Sequence, residues 1–205
     1  MLGPKQRKER ALGESLQLKA ERSIGPKSAL LRRPYKPGAH GNSRRRRNVS
    51  DYGLQIMEKQ KVKLTYQINE QNLRVIMKAA GKATGDVSRH VVELLERRLD
   101  NAVFRAGFAA GRSVSHKLVL DGHITVNGKR TKSPGFLVRV GDVIGVYERS
   151  KDRGHFKDLK ESLAKYDAPY WLQLNASQMT AQVASMPSDV EVPFQIPLVV
   201  ESFSK

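Results

Sequence analysis

Residues 94–128 constrain the fold of this chain more than any other stretch, because two helical patterns and a hairpin signal follow one another there. In the first pattern, apolar side chains recur at the spacing of one helix face, which predicts a helix that turns this face toward a core. Those side chains are Leu95, Leu99, Ala102 and Ala106. A second short helix is predicted from Arg112 to about Gly122, since glycine accepts the left-handed conformation that often follows a helix.

Directly after the second helix, the sequence changes to the signature of a β-hairpin. Residues 124–126, Ile-Thr-Val, alternate as a strand does, and Asn127 followed by Gly128 is a strong signal for a type I′ turn. On the first helix, a face other than the apolar one carries Arg98, Asn101 and Arg105. Two helices that hold guanidinium groups over the edge of a sheet are typical of a nucleic-acid platform.

The excess of positive charge lies mostly in the first quarter of the chain. The formal net charge is +17, and residues 1–47 hold 14 Lys and Arg against 3 Asp and Glu. Such a charge implies a polyanionic partner, and RNA, DNA or an acidic membrane would each satisfy it. Because there is no apolar run of about 18 residues, we expect no membrane span. The sequence is thus typical of a soluble, intracellular, basic protein.

Residues 1–47 are predicted to form an extended basic arm with little core of its own. Proline and glycine interrupt residues 25–41, where apolar periodicity is weak. We expect such an arm to order on RNA and to bind phosphates by charge and bidentate hydrogen bonds. A tail that serves only solubility is the alternative. The densest basic cluster is Arg44, Arg45, Arg46 and Arg47.

Residues 48–90 are predicted to form a helical domain. Ser50 is expected to cap its first helix, which runs through Leu54, Met57, Lys61 and Leu64. Lys59 and Lys61 are predicted on exposed sides of this helix as RNA ligands. A second helix is expected to begin near Asn69 and to bury Leu73, Ile76, Met77 and Ala80.

Residues 91–185 are predicted to form an α+β domain. Strands are expected at residues 136–140 and 143–147, and an amphipathic helix at residues 156–166. The single tryptophan, Trp171, is interpreted as a core residue. The predicted fold class is therefore α+β, with a helical N-terminal domain and basic arm followed by two short helices packed on an antiparallel sheet.

No catalytic site, metal site or cofactor is predicted. The five histidines show no metal spacing, and the motifs of hydrolases and zinc proteases are absent. Without cysteine, the chain has no disulfide, no cysteine-ligated zinc and no thiol nucleophile. Glu93 and Glu96 are expected on a helix surface, where they balance neighbouring arginines. His123 is a candidate for a phosphate or base-edge contact, and a surface histidine without such a role is the alternative.

Several longer motifs stand in order along nearly the whole chain. They are LGPK at 2–5, PGAHG at 37–41, SDYGLQIMEKQK at 50–61, LLERRLDNAVFRAGFA at 94–109, VNGK at 126–129, GDVI at 141–144 and the terminal VESFSK. In this combination the chain resembles the family of small ribosomal subunit proteins conventionally numbered four. Each motif alone would be weak, and together they are specific.

The resemblance implies that residues 93–157 form the small RNA-binding domain that also occurs in tyrosyl-tRNA synthetases and pseudouridine synthases. It implies binding to the 5′ domain of the small-subunit ribosomal RNA early in assembly, in the cytoplasm. The implied partners are the neighbouring small-subunit protein number five and messenger RNA near its entry channel, with a contribution to translational accuracy. The tail at residues 186–205 would return to the helical domain.

Carried over by position, the resemblance places RNA-facing residues on both short helices and on the hairpin that follows. They are Arg98, Asn101, Arg105, Arg112, Lys117, His123, Lys129 and Arg130. Many family members carry a zinc-binding cysteine cluster in the arm, which this chain lacks. The second helix begins after Gly111, where the family usually has Thr or Ser, and glycine is a tolerable N-cap.

Two other functions are alternatives to a structural role in the ribosome. An RNA-modifying enzyme with the same small domain would need a separate catalytic domain, for which no residues remain. A free translational repressor, or a DNA-binding helix-turn-helix protein, would explain the two helices but neither the hairpin nor the arm.

Overall fold

The structure is a computed structural model with an α+β fold, which confirms the predicted fold class. The residues it describes are 4–18, 25–42, 49–188 and 190–204. The chain divides into two compact units, the first formed by residues 1–91 with 191–205 and the second by residues 92–190. The α-helices are α1 (Lys5–Leu12), α2 (Ala29–Arg32), α3 (Asp51–Tyr66), α4 (Glu70–Ala80), α5 (Val87–Glu96), α6 (Leu99–Arg105), α7 (Arg112–Leu120), α8 (Leu159–Ala164) and α9 (Ile196–Glu201).

In the first unit, the long helices begin where the sequence predicts. The Ser50 hydroxyl accepts a hydrogen bond from the backbone N–H of Gly53, and the Asn69 side chain accepts one from that of Asn72 at 2.7 Å. Both residues therefore cap their helices, α3 and α4, by satisfying a backbone donor that has no partner within the helix. On α4, the predicted inward residues Leu73, Met77 and Ala80 are buried, and Ile76 is half-buried.

The buried face of α3 differs from the predicted one. Leu54, the first apolar residue of the predicted helix, is 41% exposed. The buried residues of α3 lie mainly in its C-terminal half and include the charged Glu58 and Lys61 beside Val62 and Leu64. The apolar periodicity did not indicate this buried face, because the charged side chains of Glu58 and Lys61 occupy part of it.

Part of the predicted arm contributes to the core of the first unit. Leu16 and Leu18 are buried together with Leu64 of α3. The backbone N–H of Leu18 donates to the buried carboxylate of Glu9 on α1 at 3.0 Å. The segment after α1 is thus attached to the helical unit by apolar packing and by a charge-assisted hydrogen bond.

The C-terminal segment returns to the same unit. Helix α9 packs against α3, and the backbone N–H of Gln195 donates to the Glu58 carboxylate at 2.8 Å. Phe194 also meets Tyr66 edge to face, with ring centroids 6.1 Å apart.

In the second unit, the first predicted helix of residues 94–106 is divided into two. Helix α5 ends at Glu96, and Arg98 has an extended backbone that forms a β-bridge with Leu137. The backbone N–H of Val138 donates to the carbonyl of Arg97 at 2.9 Å, and that of Leu99 to the carbonyl of Phe136 at 2.8 Å. These tertiary hydrogen bonds replace those that a continuous helix would make.

Among the described residues, the strands form one antiparallel sheet in the order β2-β1-β3-β5-β4. They are β1 (Ile124–Val126), β2 (Lys129–Arg130), β3 (Val143–Val146), β4 (Leu172–Asn175) and β5 (Thr180–Val183). Asn127 and Gly128 join β1 to β2 with positive φ at both residues, as a type I′ turn requires. The predicted strand at residues 136–140 is wrong, because this segment bonds to residues 97–99 instead of the sheet.

One hydrophobic core lies between the helices and the sheet of the second unit. The apolar stripe predicted from residues 95–106 is fully buried, and Trp171 is a core residue as expected. The amphipathic helix predicted at residues 156–166 is the shorter α8, preceded by turns that bury Phe156. The β4–β5 hairpin, which the sequence analysis did not predict, adds Leu172, Ala181 and Val183 to this core.

Candidate nucleic-acid interface

A buried carboxylate at the end of α5 organises the predicted basic face of the second unit. The Glu96 side chain is inaccessible to solvent, and it accepts hydrogen bonds from Nε and Nη2 of Arg105 at 2.9 and 3.1 Å. It also accepts one from Nδ2 of Asn101 at 2.9 Å. A bidentate contact of this kind fixes both the position and the plane of a guanidinium group. The predicted pairing of Glu96 with an arginine is confirmed, whereas its predicted surface position is wrong.

Asn101 extends this arrangement to the next helix. Its side-chain oxygen accepts a hydrogen bond from Nε of Arg112 at 2.8 Å. The Arg112 guanidinium also lies over the Phe104 ring, 4.5 Å from its centroid, where a planar cation is attracted by the π-system. Glu96 and Asn101 therefore hold two half-buried guanidinium groups, those of Arg105 and Arg112, in fixed positions.

Arg98 and Asn101 do not lie on the exposed face where the sequence placed them. Arg98 is 6% exposed and donates two hydrogen bonds to Asp100, from Nε at 3.1 Å and from Nη2 at 2.8 Å. The Asp100 carboxylate also contacts Nδ1 of His116 at 2.9 Å, and the Ser115 hydroxyl donates to the Asp100 carbonyl. The change of chain direction after Glu96 turns Arg98 inward. Its side chain is therefore buried and holds the Asp100 carboxylate in place.

Two of the predicted lysines are exposed and, among the described residues, unpaired. Lys117 on α7 and Lys129 on β2 are exposed, and neither makes an ion pair with any acid in the described parts of the chain. A long, hydrated and unneutralised ammonium group is suited to contact with phosphates.

Arg130 serves a local structural role. Its Nε donates to the carbonyl of Gly122 at 2.5 Å and its Nη2 to the carbonyl of Asp121 at 2.9 Å. The guanidinium lies 5.1 Å from the centroid of the Tyr147 ring. Arg130 thus satisfies carbonyl groups that the end of α7 leaves without helical partners.

His123 lies beside the end of α7 and is half-buried. Its Nδ1 is 2.9 Å from the Ser150 hydroxyl, and its ring meets Phe156 edge to face. Burial, followed by the positive charge of Arg153, lowers the pKa of His123 below its ordinary value of 6.5. A histidine in this setting favours its neutral form, which weakens the case for a cationic phosphate contact.

In the first unit, both predicted lysine ligands are paired with acids. Lys61 is 6% exposed and contacts Glu14 and Glu58 at 2.6 and 2.5 Å, so its predicted exposure is wrong. Burial opposes its charge, but the hydrogen bonds to both carboxylates raise the pKa of Lys61 above its ordinary value. Lys59 contacts Glu70 at 2.6 Å and lies 3.9 Å from the centroid of the Phe203 ring.

Arg44, Arg45, Arg46 and Arg47 lie outside the described residues. In the described segments, no group of histidines and acids could hold a metal ion. The helices found in those segments are too short or too polar to cross a membrane.

Sequence reasoning missed the roles of Asp100 and His116. Asp100 stood two residues from Arg98 in the sequence, but a continuous helix would not bring these side chains together. Only the break after Glu96 allows their contact, and periodicity gave no sign of it. The Glu96–Arg105 pair was equally hidden, because nine residues and a change of helix separate its members.

Comparison with known proteins agrees with this architecture. Residues 1–96 match the family "Ribosomal protein S4/S9 N-terminal domain", and residues 97–144 match the "S4 domain". The fold and the basic site thus define a ribosomal protein of the S4-domain class.

Full-length relatives identify the family. The chain is 44% identical over 208 residues to the small ribosomal subunit protein uS4 of Roseiflexus castenholzii, covering 100% of this chain and 98% of that protein. It is 42% identical over 206 residues to the uS4 protein of Caldicellulosiruptor bescii, with the same coverage. The chain belongs to the uS4 family of small ribosomal subunit proteins, which confirms the resemblance. The relatives are named as ribosomal proteins.

Proposed function

We propose that this chain is a structural component of the small ribosomal subunit that binds ribosomal RNA directly, in the cytoplasm. The observation that carries this proposal is the similarity to uS4 proteins over the full length of the chain. The net charge of +17 supports it, because neutralisation of phosphates dominates the affinity of proteins for RNA.

In the second unit, the proposed RNA contacts are two guanidinium groups that hydrogen bonds hold in place and two exposed ammonium groups. Arg105 and Arg112 would offer guanidinium edges whose orientation Glu96 and Asn101 set before RNA arrives. Such pre-organisation reduces the conformational entropy lost on binding. Lys117 and Lys129 would add unpaired charges. Arg98 would not contact RNA itself and would stabilise the helices of the interface through its hydrogen bonds to Asp100.

The domain boundaries predicted from the sequence remain part of the proposal. Residues 1–47, with Arg44 to Arg47, would act as a basic arm. Residues 48–90 and 186–205 would form a helical domain, and residues 91–185 the domain that contains the small RNA-binding module. Contacts with small-subunit protein number five and with messenger RNA near its entry channel, and a role in early assembly of the 5′ domain, are proposed from the family resemblance alone.

Co-sedimentation with small ribosomal subunits in high salt tests the proposed function. A structural component should remain with the subunit after washing, because many contacts would have to be lost together. A variant with Lys160→Gln and Lys165→Gln, which removes two exposed charges from the C-terminal part of the chain, should sediment equally well. Release of the unaltered protein from the subunit would contradict the proposal.

A further inference from the structure

A cleft in the first unit combines an apolar lining with two basic residues. Its volume is about 300 Å³, and it lies between α4, the start of α5 and the residues around the end of α9. Its apolar lining comes from Met77, Val87, Val200 and Phe203, and its basic residues are Arg74 and Lys78. Neither basic residue belongs to the site predicted from the sequence.

Arg74 and Lys78 are available for an anionic ligand. They stand one helical turn apart on α4, about 5–6 Å between their Cβ atoms, and both are exposed. No acid in the described segments forms an ion pair with either of them. The neighbouring lysines differ, because Lys59 and Lys63 both contact Glu70, at 2.6 and 2.9 Å. The pKa of Glu70 reflects this: burial would raise it, but the hydrogen bonds to Lys59 and Lys63 outweigh burial and lower it.

The lining of the cleft favours a nucleotide over a purely ionic ligand. Phe203 is held by the Lys59 ammonium, 3.9 Å from its ring centroid, so an aromatic group is fixed at the wall. An unstacked base is flat and apolar on its faces, and such bases are recognised in RNA by aromatic and apolar side chains. The volume is at the lower limit of small-ligand pockets, which suits one base. A segment of acidic residues alone would satisfy the two cations but would leave the apolar lining uncovered.

We propose that this cleft binds one unstacked nucleotide of the small-subunit ribosomal RNA, with the base against the apolar lining and adjacent phosphates at Arg74 and Lys78. The inference rests on the proposed function and adds to it a specific RNA feature, an extruded nucleotide. It also places an RNA contact in the first unit, independent of the basic arm.

The phosphate contacts are tested by the salt dependence of binding to a small-subunit ribosomal RNA transcript. The double variant Arg74→Gln with Lys78→Gln should reduce the slope of log affinity against log salt by about 1.4–1.8, which corresponds to two contacts at roughly 0.7–0.9 each. The matched control, Lys160→Gln with Lys165→Gln, removes the same charge from exposed positions outside the cleft and should leave the slope unchanged. Equal slopes for the two double variants would overturn the inference.

The base contact is tested by photo-crosslinking the full chain to a transcript that contains 4-thiouridine. Crosslinked peptides should include Met77 or Phe203, and these crosslinks should disappear in the Arg74/Lys78 variant while crosslinks in the second unit persist. Failure of the unaltered chain to bind the transcript would contradict the proposed function itself. Normal binding without crosslinks to the cleft would overturn only the inference. A double variant that loses binding to a neighbouring ribosomal protein instead of RNA would also overturn it.

Discussion

At the scale of single residues, burial separates an arginine that maintains the fold from arginines that remain partly accessible to a ligand. Arg98 is enclosed and its guanidinium faces the Asp100 carboxylate. Arg112 is half-buried, with its Nε on Asn101 and its plane on Phe104. An enclosed guanidinium depends on its acid, since removal of one partner leaves the other as an uncompensated buried charge. Arginine therefore has different surroundings at two positions that were both predicted to face RNA.

We expect substitution of Arg98 to reduce mainly stability and substitution of Arg112 to reduce mainly RNA binding. Arg98→Ala should lower the free energy of unfolding by about 2–3 kcal/mol, because the buried Asp100 carboxylate loses both guanidinium hydrogen bonds and keeps only its contacts with His116 and the Asn101 backbone. Arg112→Gln should change stability by less than about 1 kcal/mol and reduce the salt slope of RNA binding by roughly 0.7–0.9. Urea unfolding and RNA titration at several salt concentrations measure the two quantities. A stable Arg98→Ala protein with a reduced salt slope would show that Arg98 contacts phosphates directly.

At the scale of the elements, two glycines of similar conformation sit in different surroundings. Gly122 at the end of α7 has φ of 71°, and Gly128 in the β1–β2 turn has φ of 75°. A Cβ at Gly128 would meet nothing within 4 Å, whereas one at Gly122 would lie 2.5 Å from Nε of Arg130. A side chain at either site would therefore strain the backbone. Only at Gly122 would it also collide with the guanidinium of Arg130.

Alanine substitutions at the two glycines should separate strain from crowding. Gly128→Ala should cost about 1–2 kcal/mol, the usual penalty for a side chain in the left-handed region. Gly122→Ala should cost up to about 1 kcal/mol more, because the new methyl group displaces Arg130 from the carbonyls it satisfies. Thermal or urea unfolding of both variants gives the comparison. Equal losses would mean that the capping contact of Arg130 contributes nothing to stability.

Local signals in the sequence were sufficient for caps and turns, and insufficient for contacts between elements. Ser50, Asn69 and the Asn127–Gly128 turn act through neighbours a few residues away, so their roles could be predicted. The break after Glu96 could not, because Arg97 and Arg98 continue the helical pattern and only the backbone of residues 136–138 diverts them. The burial of Lys61 escaped prediction for the same reason, since its partner Glu14 lies 47 residues away.

At the scale of the whole molecule, the first unit is assembled from three separate parts of the chain. Lys61 of α3 contacts Glu14, which follows α1, and its neighbour Glu58 accepts a hydrogen bond from Gln195 near the C-terminus. Leu16 and Leu18 cover Leu64 of α3. The N-terminal segment therefore contributes to stability as well as to the positive charge of the chain.

Removal of residues 1–47 should leave a folded protein with a less stable first unit. The loss should be at least about 3 kcal/mol, from two leucine side chains at about 1.5–3 kcal/mol each. Urea unfolding measures it. The control replaces Arg44, Arg45, Arg46 and Arg47 with Gln, which removes charge while keeping Leu16 and Leu18, and should weaken RNA binding without loss of stability. An unchanged unfolding curve after truncation would show that the contacts of Leu16, Leu18 and Glu14 are dispensable.

The return of the C-terminal segment to α3 also has a consequence for synthesis of the protein. Protein domains usually fold in order as they leave the ribosome, the N-terminal one first. Here the contact of Gln195 with Glu58 and the packing of α9 on α3 cannot form until nearly the whole chain has been translated. The second unit, whose residues are contiguous, can complete its core earlier. The part of the chain that is made first is therefore the part that is finished last.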